Sequence, residues 1–222
     1  MLWLTPTPEP HGQRHTRLEL GRIAFIPLVL VLNMVVGCAA VLSPMKPGAI
    51  DSIRSDEGLV LGRIQLTDTN GEAFQSPKKP FRTSFHMQWR LKEQTVGKEY
   101  VIDPLPKDGP FLLKLPTGSY ELTALNFDTA LGIWQAFLPT TFRVSSQACT
   151  YLGTWDLRTS AGFFSGSIVR HVVDQHALAE TDLQTFVNER LSNPMVTELS
   201  SFTAGPLLLT FRTQGTELTS PP

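Results

Sequence analysis

Three residues in the last third of the chain have the side chains of metal ligands and lie close together: His171, Asp174 and His176. Imidazole nitrogen and carboxylate oxygen both bind Zn²⁺ in proteins. Positions i, i+3 and i+5 do not share one face of a strand or of a helix, and neither a cysteine nor a further histidine lies nearby. The spacing therefore favours a structural or solvent-exposed role, and we predict no metal and no cofactor.

Two other segments have residue types that could do chemistry at a spacing that does not suit it. Gly162-Phe-Phe-Ser165-Gly166 contains the residues of a nucleophile elbow, but Ser165 directly precedes the second glycine, whereas the elbow is Gly-x-Ser-x-Gly. Asp68-Thr-Asn-Gly71 offers oxygen ligands, yet no spaced acids complete a calcium loop, and its residues favour a turn. We predict no catalytic residue, no enzymatic activity and no small-molecule substrate.

Three tryptophans, Trp89, Trp134 and Trp155, could form a platform on which sugars stack. Buried packing in a β-protein core is the commoner use of such residues. Trp134 lies between Gly132 and Pro139 in an expected loop, so it is the best candidate for exposure. A glycan- or peptidoglycan-binding module with exposed aromatic residues is therefore the alternative function.

The amino-terminal segment has the charge order of an export signal. Arg14, Arg17 and Arg22 precede the run from Ile23 to Gly37, which is apolar except for Asn33 and is interrupted by Pro27. A transmembrane helix needs about 20 apolar residues, so this run is short for a span and suits a signal peptide. We predict a signal peptide over residues 1–37, with an ordinary membrane anchor as the alternative.

The end of that run, Val35-Val36-Gly37-Cys38, resembles the lipobox of bacterial lipoproteins. The resemblance implies cleavage before Cys38, acyl chains on its thiol and attachment to a membrane of the cell envelope. Because Ala39 follows in place of Asp, it also implies sorting to the outer membrane, facing the periplasm, in a Gram-negative cell. If Cys38 carries lipid, Cys149 has no partner within the chain, so we expect a buried free thiol.

Composition excludes some classes of function. The formal net charge is −1, which gives no concentrated basic footprint for nucleic acid. Hydrophobic residues make up 41% of the chain, enough for a substantial core, and 17 Pro with 16 Gly are typical of short-stranded β proteins.

Alternation at period two is clearest from Thr83 to Leu91 and predicts a half-buried strand. Inward positions are predicted at Phe85, Met87, Trp89, Phe111, Leu113, Leu115, Tyr120 and Leu122. Further strands are predicted near Gly58–Leu66, Tyr100–Ile102, Phe111–Leu115, Tyr120–Ala124, Thr141–Val144, Ala148–Leu157, Gly162–Val173 and Pro206–Phe211. The spacing of apolar residues from Leu178 to Leu191 predicts one amphipathic helix.

Two stretches resemble carboxypeptidase-regulatory-like, transthyretin-like domains. Gly58-Leu-Val-Leu-Gly-Arg-Ile-Gln-Leu-Thr-Asp-Thr-Asn-Gly71 is similar to their opening hairpin, and Asp108-Gly-Pro-Phe-Leu-Leu-Lys-Leu-Pro-Thr-Gly-Ser-Tyr-Glu-Leu122 to a later strand pair. The regular spacing of about seven short strands up to Leu157 predicts a mainly β fold, an antiparallel β-sandwich, and the resemblance implies such a domain without catalytic residues. We predict a tether over 38–56, this sandwich over 57–157, a strand-helix-strand extension packed on it over 158–212, and a frayed tail over 213–222.

These expectations lead to one leading hypothesis for function. It is a lipid-anchored, non-catalytic envelope protein that acts as an accessory or interaction module and contacts another envelope protein. An enzyme would need a pocket with converging polar groups, and the three histidines outside the predicted signal have no recognised spacing.

Overall fold

Strict alternation of apolar and polar side chains produces the strand His86–Glu93, in which Met87, Trp89 and Leu91 are buried. The computed structural model describes residues 39–49, 52–68, 70–72, 86–129, 132–161, 166–187, 195–199 and 206–212. The predicted signal peptide, Cys38, Phe85, Ser165 and the predicted tail over 213–222 lie outside these residues.

The described residues contain eleven strands and one helix. In chain order they are β1 (Ala40–Leu42), β2 (Glu57–Thr67), β3 (His86–Glu93), β4 (Glu99–Leu105), β5 (Asp108–Pro116), β6 (Gly118–Thr129), β7 (Gly132–Val144), β8 (Cys149–Ala161), β9 (Gly166–Val173), α1 (His176–Phe186), β10 (Val196–Thr197) and β11 (Leu207–Arg212).

Ten strands follow one continuous hydrogen-bonded order, β1-β4-β3-β6-β7-β11-β9-β8-β2-β5, and β10 pairs with β8 beside this path. The strand β11 joins the two halves of the sheet. Its last residues, Thr210 to Arg212, pair with β7, whereas Leu207 to Leu209 pair with β9. The result is a single curled sheet in which β11 belongs to both halves.

The inner face of the curled sheet forms the first core, which draws on both halves and includes Val60, Trp89, Phe111, Leu125, Trp155 and Leu209. Trp89 of β3 packs edge-on to Phe111 of β5, with ring centroids 4.9 Å apart. It also lies 5.0 Å from the ring of Trp155 on β8. The two halves therefore face each other across Trp89.

A second core lies on the outer face of β2, β5 and β8, where α1 covers Leu59, Leu61, Leu112, Cys149 and Tyr151. An ion pair between β2 and α1 adds to this packing. The Arg63 guanidinium donates through Nε and Nη2 to the two carboxylate oxygens of Asp182, at 3.0 and 2.8 Å. The helix is thus a cover for one sheet face, bound by both apolar contacts and a forked ion pair.

The mainly β class is confirmed, and the residues that the structure describes contain one helix, in the predicted C-terminal region, while a sandwich of about seven strands is not confirmed. Ten strands lie on the sheet path, and the pairings β2–β8 and β1–β4 are parallel, whereas only antiparallel pairing was expected. All the predicted inward residues that are described are buried: Met87, Trp89, Phe111, Leu113, Leu115, Tyr120 and Leu122.

The predicted boundary at residue 157 is not a structural boundary. β8 runs through it to Ala161, and β9 and β11 continue the same sheet, so residues 158–212 do not form an extension packed on a finished sandwich. The tether predicted over 38–56 also differs from the structure. Ala40–Leu42 form β1 beside β4, and Met45 and Ile53 pack against the second core.

β7 is much longer than predicted, since a strand was expected only over Thr141–Val144. The strand begins at Gly132, and its register with β6 shifts between Leu122 and Ala124, where Pro139 falls near the irregularity. A proline is tolerated at such a position because a bulge leaves one backbone N–H outside the ladder. The Gly and Pro signals that suggested a loop therefore lie within a strand.

Candidate functional site

The three possible metal ligands do not converge. His171 lies exposed on β9, at the register position of Asp156 on β8. The Asp174 carboxylate accepts the backbone N–H of His176 at 3.1 Å, and the His176 ring lies edge-on to Tyr151 at 6.4 Å. In the part of the chain that the structure describes, no group of three His, Cys, Asp or Glu side chains could hold a metal ion.

The other polar motifs serve turns. The Asp68 carboxylate accepts the N–H groups of Asn70 and Glu72 at 2.8 and 3.0 Å, which is the geometry of an Asx turn. The Glu93 carboxylate accepts N–H groups of Thr95 and Val96 at 3.0 and 2.6 Å. Those bonds, the one from Val96 foremost, hold the pKa of Glu93 below its ordinary value.

The described tryptophans do not form an exposed platform. Trp89 and Trp155 are fully buried in the first core. Trp134 was expected in a loop but lies in β7, half-buried and 4.9 Å from the ring of Phe211 on β11. Their placement favours core packing over glycan binding.

A row of polar side chains crosses the outer face of the neighbouring strands β3, β6, β7 and β11. Gln88 on β3, Asn126 on β6, Gln135 on β7 and Thr210 on β11 occupy one register level. Asn126 and Gln135 are only 2% and 6% exposed, and their side-chain oxygens have no hydrogen-bond partner. An unsatisfied buried amide oxygen costs free energy, so this row is a place where an added donor would stabilise the protein.

Next to this row lies the seam surface, defined by Phe137 on β7, Val169 on β9 and Leu208 on β11. Their exposed fractions are 57%, 39% and 79%. Thr210 pairs with Gln135, so two residues back along β11 Leu208 comes level with Phe137 on the same face. Leu208 also pairs with Ser167, two residues before Val169.

The seam surface was missed at the level of sequence because it depends on which strands β11 pairs with. Leu208 lies in a run of three leucines, which gives no indication of the one that faces outward. The outer position follows from the pairing of β11 with β7 and β9, strands far away in the chain. Large apolar residues exposed on adjoining strands, beside polar neighbours, are typical of protein-binding surfaces.

Arg170 and Cys149 have strongly shifted pKa values. Burial lowers the pKa of Arg170, on β9, to about 10. Burial raises the pKa of the Cys149 thiol to about 12. Cys149 is a buried cysteine that forms no disulfide, as the sequence predicts. A thiol with so high a pKa is protonated at neutral pH and makes a poor nucleophile.

Comparisons of the chain with known protein families, with curated proteins and with solved structures found no match. Among the described residues, no helix combines the length and apolar character needed to cross a bilayer. The candidate site, the seam surface, therefore rests on the strand pairing and exposure of Phe137, Val169 and Leu208.

Proposed function

We propose that the protein is a lipid-anchored, non-catalytic protein of the cell envelope that binds another envelope protein through the seam surface. The observation that carries this proposal is the exposure of Phe137, Val169 and Leu208 on three adjoining strands. Burying such side chains against a partner contributes about 25 cal/mol for each Å² of apolar surface removed from water. The neighbouring amide row is buried, with Asn126 and Gln135 only 2% and 6% exposed, so the apolar side chains are the part of this face that a partner would contact.

The absence of enzymatic activity is part of the same proposal. Several carboxylates accept backbone N–H groups: Asp174 at the start of α1, and Asp68 and Glu93 in turns. Asp182 holds the helix to Arg63. Groups used in this way contribute to stability, and a catalytic acid or base must instead reach a substrate.

The attachment to the membrane is proposed from Val35-Val36-Gly37-Cys38. A lipid on Cys38 would anchor the protein firmly, because each buried methylene contributes about 0.8 kcal/mol. Location at the outer membrane, facing the periplasm of a Gram-negative cell, is proposed from Ala39 at the following position. We expect the wild-type protein to incorporate a fatty-acid label in bacteria and Cys38→Ala to incorporate none, and equal labelling of the two would refute the anchor.

A relation to transthyretin-like domains is likewise a proposal. It is supported by the pairing of the two resembling stretches, since β2 and β5 are antiparallel neighbours from Glu57–Pro116 to Gln65–Asp108. Tyr120 packs inward, and its hydroxyl donates to the Pro116 carbonyl at 2.9 Å. This contact across four residues resembles the tyrosine corner of β-sandwiches.

Glycan or peptidoglycan binding has less support, because Trp89 and Trp155 are buried and Trp134 packs on Phe211. The two functions can be separated with a photo-reactive amino acid placed at position 208 and, as a control, at the exposed position 70. We expect a protein adduct in cells from position 208 alone, and loss of that adduct in Phe137→Glu. Equal adducts from both positions, or no protein adduct, would refute the seam surface as the binding site.

A further inference from the structure

The chain between Cys38 and the folded unit is very short. β1 begins at Ala40, so only Ala39 separates it from the proposed lipid attachment site. Two residues of fully extended chain span about 7 Å at most. A lipid on Cys38 would therefore hold the start of β1 within about 7 Å of the membrane-bound residue.

The segment that follows is fixed to the fold and cannot act as a spacer. Ser43 Oγ donates to the Asp103 carbonyl at 2.8 Å, and the Met45 N–H donates to the Leu112 carbonyl at the same distance. The Gly48 N–H donates to the Thr185 carbonyl of α1 at 3.1 Å. These contacts join the segment to β4, β5 and α1, so an anchor at Cys38 would also orient the sheet.

The feature beside the start of β1 is the β3–β4 turn, residues 94–98. β1 runs parallel to β4 with Ala40 opposite Tyr100, so the turn projects beyond Ala40 at the same end of the sheet. Its most exposed apolar side chain is Val96, which is 73% exposed. The two bonds to the Glu93 carboxylate and the bond from Gly97 N–H to the Glu93 carbonyl keep this turn in shape.

Charges around the turn suit an interface between water and lipid. Lys92 and Lys98 are exposed on either side of it, and Glu99 is the nearest exposed acid along β4. The Lys98 ammonium lies 5.0 Å from the centroid of the Tyr100 ring. Lysine side chains place their methylene stems against apolar material and their ammonium groups among phosphates.

We propose that the β3–β4 turn rests in the lipid headgroup layer beside the lipid-bearing Cys38, with Val96 directed toward the hydrocarbon. This inference rests on the proposed lipidation. The headgroup layer is about 5–7 Å thick on each side of a bilayer, which matches the reach of two residues of chain. The Asp68–Gly71 turn then points away from the membrane.

The Asp68–Gly71 turn and the β3–β4 turn lie at opposite ends of β2, as the strand directions show. β2 starts at the membrane end, where the Asp56 carbonyl accepts the Thr117 N–H and the Ser119 carbonyl accepts the Gln94 N–H. It has 11 residues and ends at Thr67, just before the Asp68–Gly71 turn. At about 3.3 Å per residue, the two ends are about 30 Å apart.

The test places an environment-sensitive fluorophore on Val96→Cys or, as the matched control in the distal turn, on Asn70→Cys. The native Cys149 remains unlabelled because it is fully buried and its pKa is about 12. The lipidated full-length protein is reconstituted into phosphatidylethanolamine–phosphatidylglycerol vesicles with or without a headgroup spin-labelled lipid. We expect the spin label to reduce emission from position 96 several times more than emission from position 70, and a blue shift at position 96 alone.

Mass measurement of the same purified protein shows separately whether Cys38 carries lipid. With lipid present, equal and weak quenching at positions 96 and 70 would overturn the orientation and leave the anchor in place. Stronger quenching at position 70 would show that the molecule is oriented the other way up. A protein without lipid would overturn the proposed anchor and this inference with it.

Discussion

The ion pair between Arg63 and Asp182 should be the contact on which the position of α1 depends most. The side chains are only 19% and 11% exposed, and both guanidinium–carboxylate bonds are short. The hydrogen bond to Asp182 raises the pKa of Arg63 above its ordinary value. In Asp182→Ala this guanidinium keeps its charge, loses its partner and remains largely covered.

Breaking a fully buried ion pair by removing one partner costs about 3–5 kcal/mol. Some water still reaches Arg63, so we expect a loss of about 2–3 kcal/mol in the free energy of unfolding from Asp182→Ala. With a urea m-value of about 2 kcal/mol/M, the unfolding midpoint should fall by about 1 M. The assay is equilibrium urea denaturation of the purified protein, followed by tryptophan fluorescence.

The matched control is the exposed pair formed by Arg158 and Asp156, with side chains 54% and 20% exposed and a 3.1 Å contact. Asp156→Ala should cost about 0–1 kcal/mol, as exposed pairs do. The double variant Arg63→Leu with Asp182→Leu should recover much of the loss, because no charge is then left buried. If Asp182→Ala lowers the midpoint no more than Asp156→Ala does, the ion pair does not hold the helix and the reasoning is wrong.

Three further predictions concern the interior and the β3–β4 turn. Gly62→Ala should cost about 1–3 kcal/mol, because the added methyl group would enter the space of the Phe111 ring, and Phe111→Leu should recover part of that loss in urea unfolding. Cys149 should resist thiol reagents at pH 8 in the folded protein and react fully in urea; fast reaction in the folded state would contradict its burial. The lowered pKa of Glu93 stabilises the fold at pH values above the ordinary pKa of 4.5, and that contribution is lost as pH falls through the lower folded value. In Glu93→Gln, the free energy of unfolding should therefore fall less steeply as the pH is lowered, and unchanged acid sensitivity would contradict this prediction.

Much of β2 and β5 could be predicted because local pattern and tertiary contact agree there. Gly58 and Gly62 belong to the motif Gly58-Leu-Val-Leu-Gly62, and each also lies where a side chain would collide with a neighbouring group. A methyl group at position 58 would meet the Ser145 carbonyl, and one at position 62 would meet the ring of Phe111. The alternating residues of β5 face the first core as their period of two indicates.

The strands that sequence reasoning placed poorly depend on distant partners. β8 pairs in parallel with β2 and antiparallel with β9. Its residues from Thr154 to Ala161 pair with β9, a strand that the prediction placed outside the sandwich, beyond residue 157. Pro139 lies within a 13-residue strand because the ladder is irregular there. The α1 helix begins at His176, two residues before the first apolar position of its predicted period, and the Asp174 carboxylate accepts the His176 N–H there.

The candidate site was less predictable than the fold for the same reason. Which leucine of β11 faces outward, and which strand lies beside it, follows from pairings with β7 and β9 that are separated from β11 by tens of residues. By contrast, the lack of convergence of His171, Asp174 and His176 could be expected from spacing alone, since local geometry determines it.

The segment of residues 40–48 contacts the strands at both ends of the strand order. It covers β4 through β1 at one end, and at the other its Met45 N–H occupies the Leu112 carbonyl of β5. Unpaired edges of sheets are sites where other chains add as extra strands, so these contacts limit such pairing at Tyr100–Ile102 of β4 and at Leu112 of β5. The same segment leads directly back to Cys38. If Cys38 carries lipid, the residues that contact β4 and β5 also transmit the orientation of the membrane to the sheet.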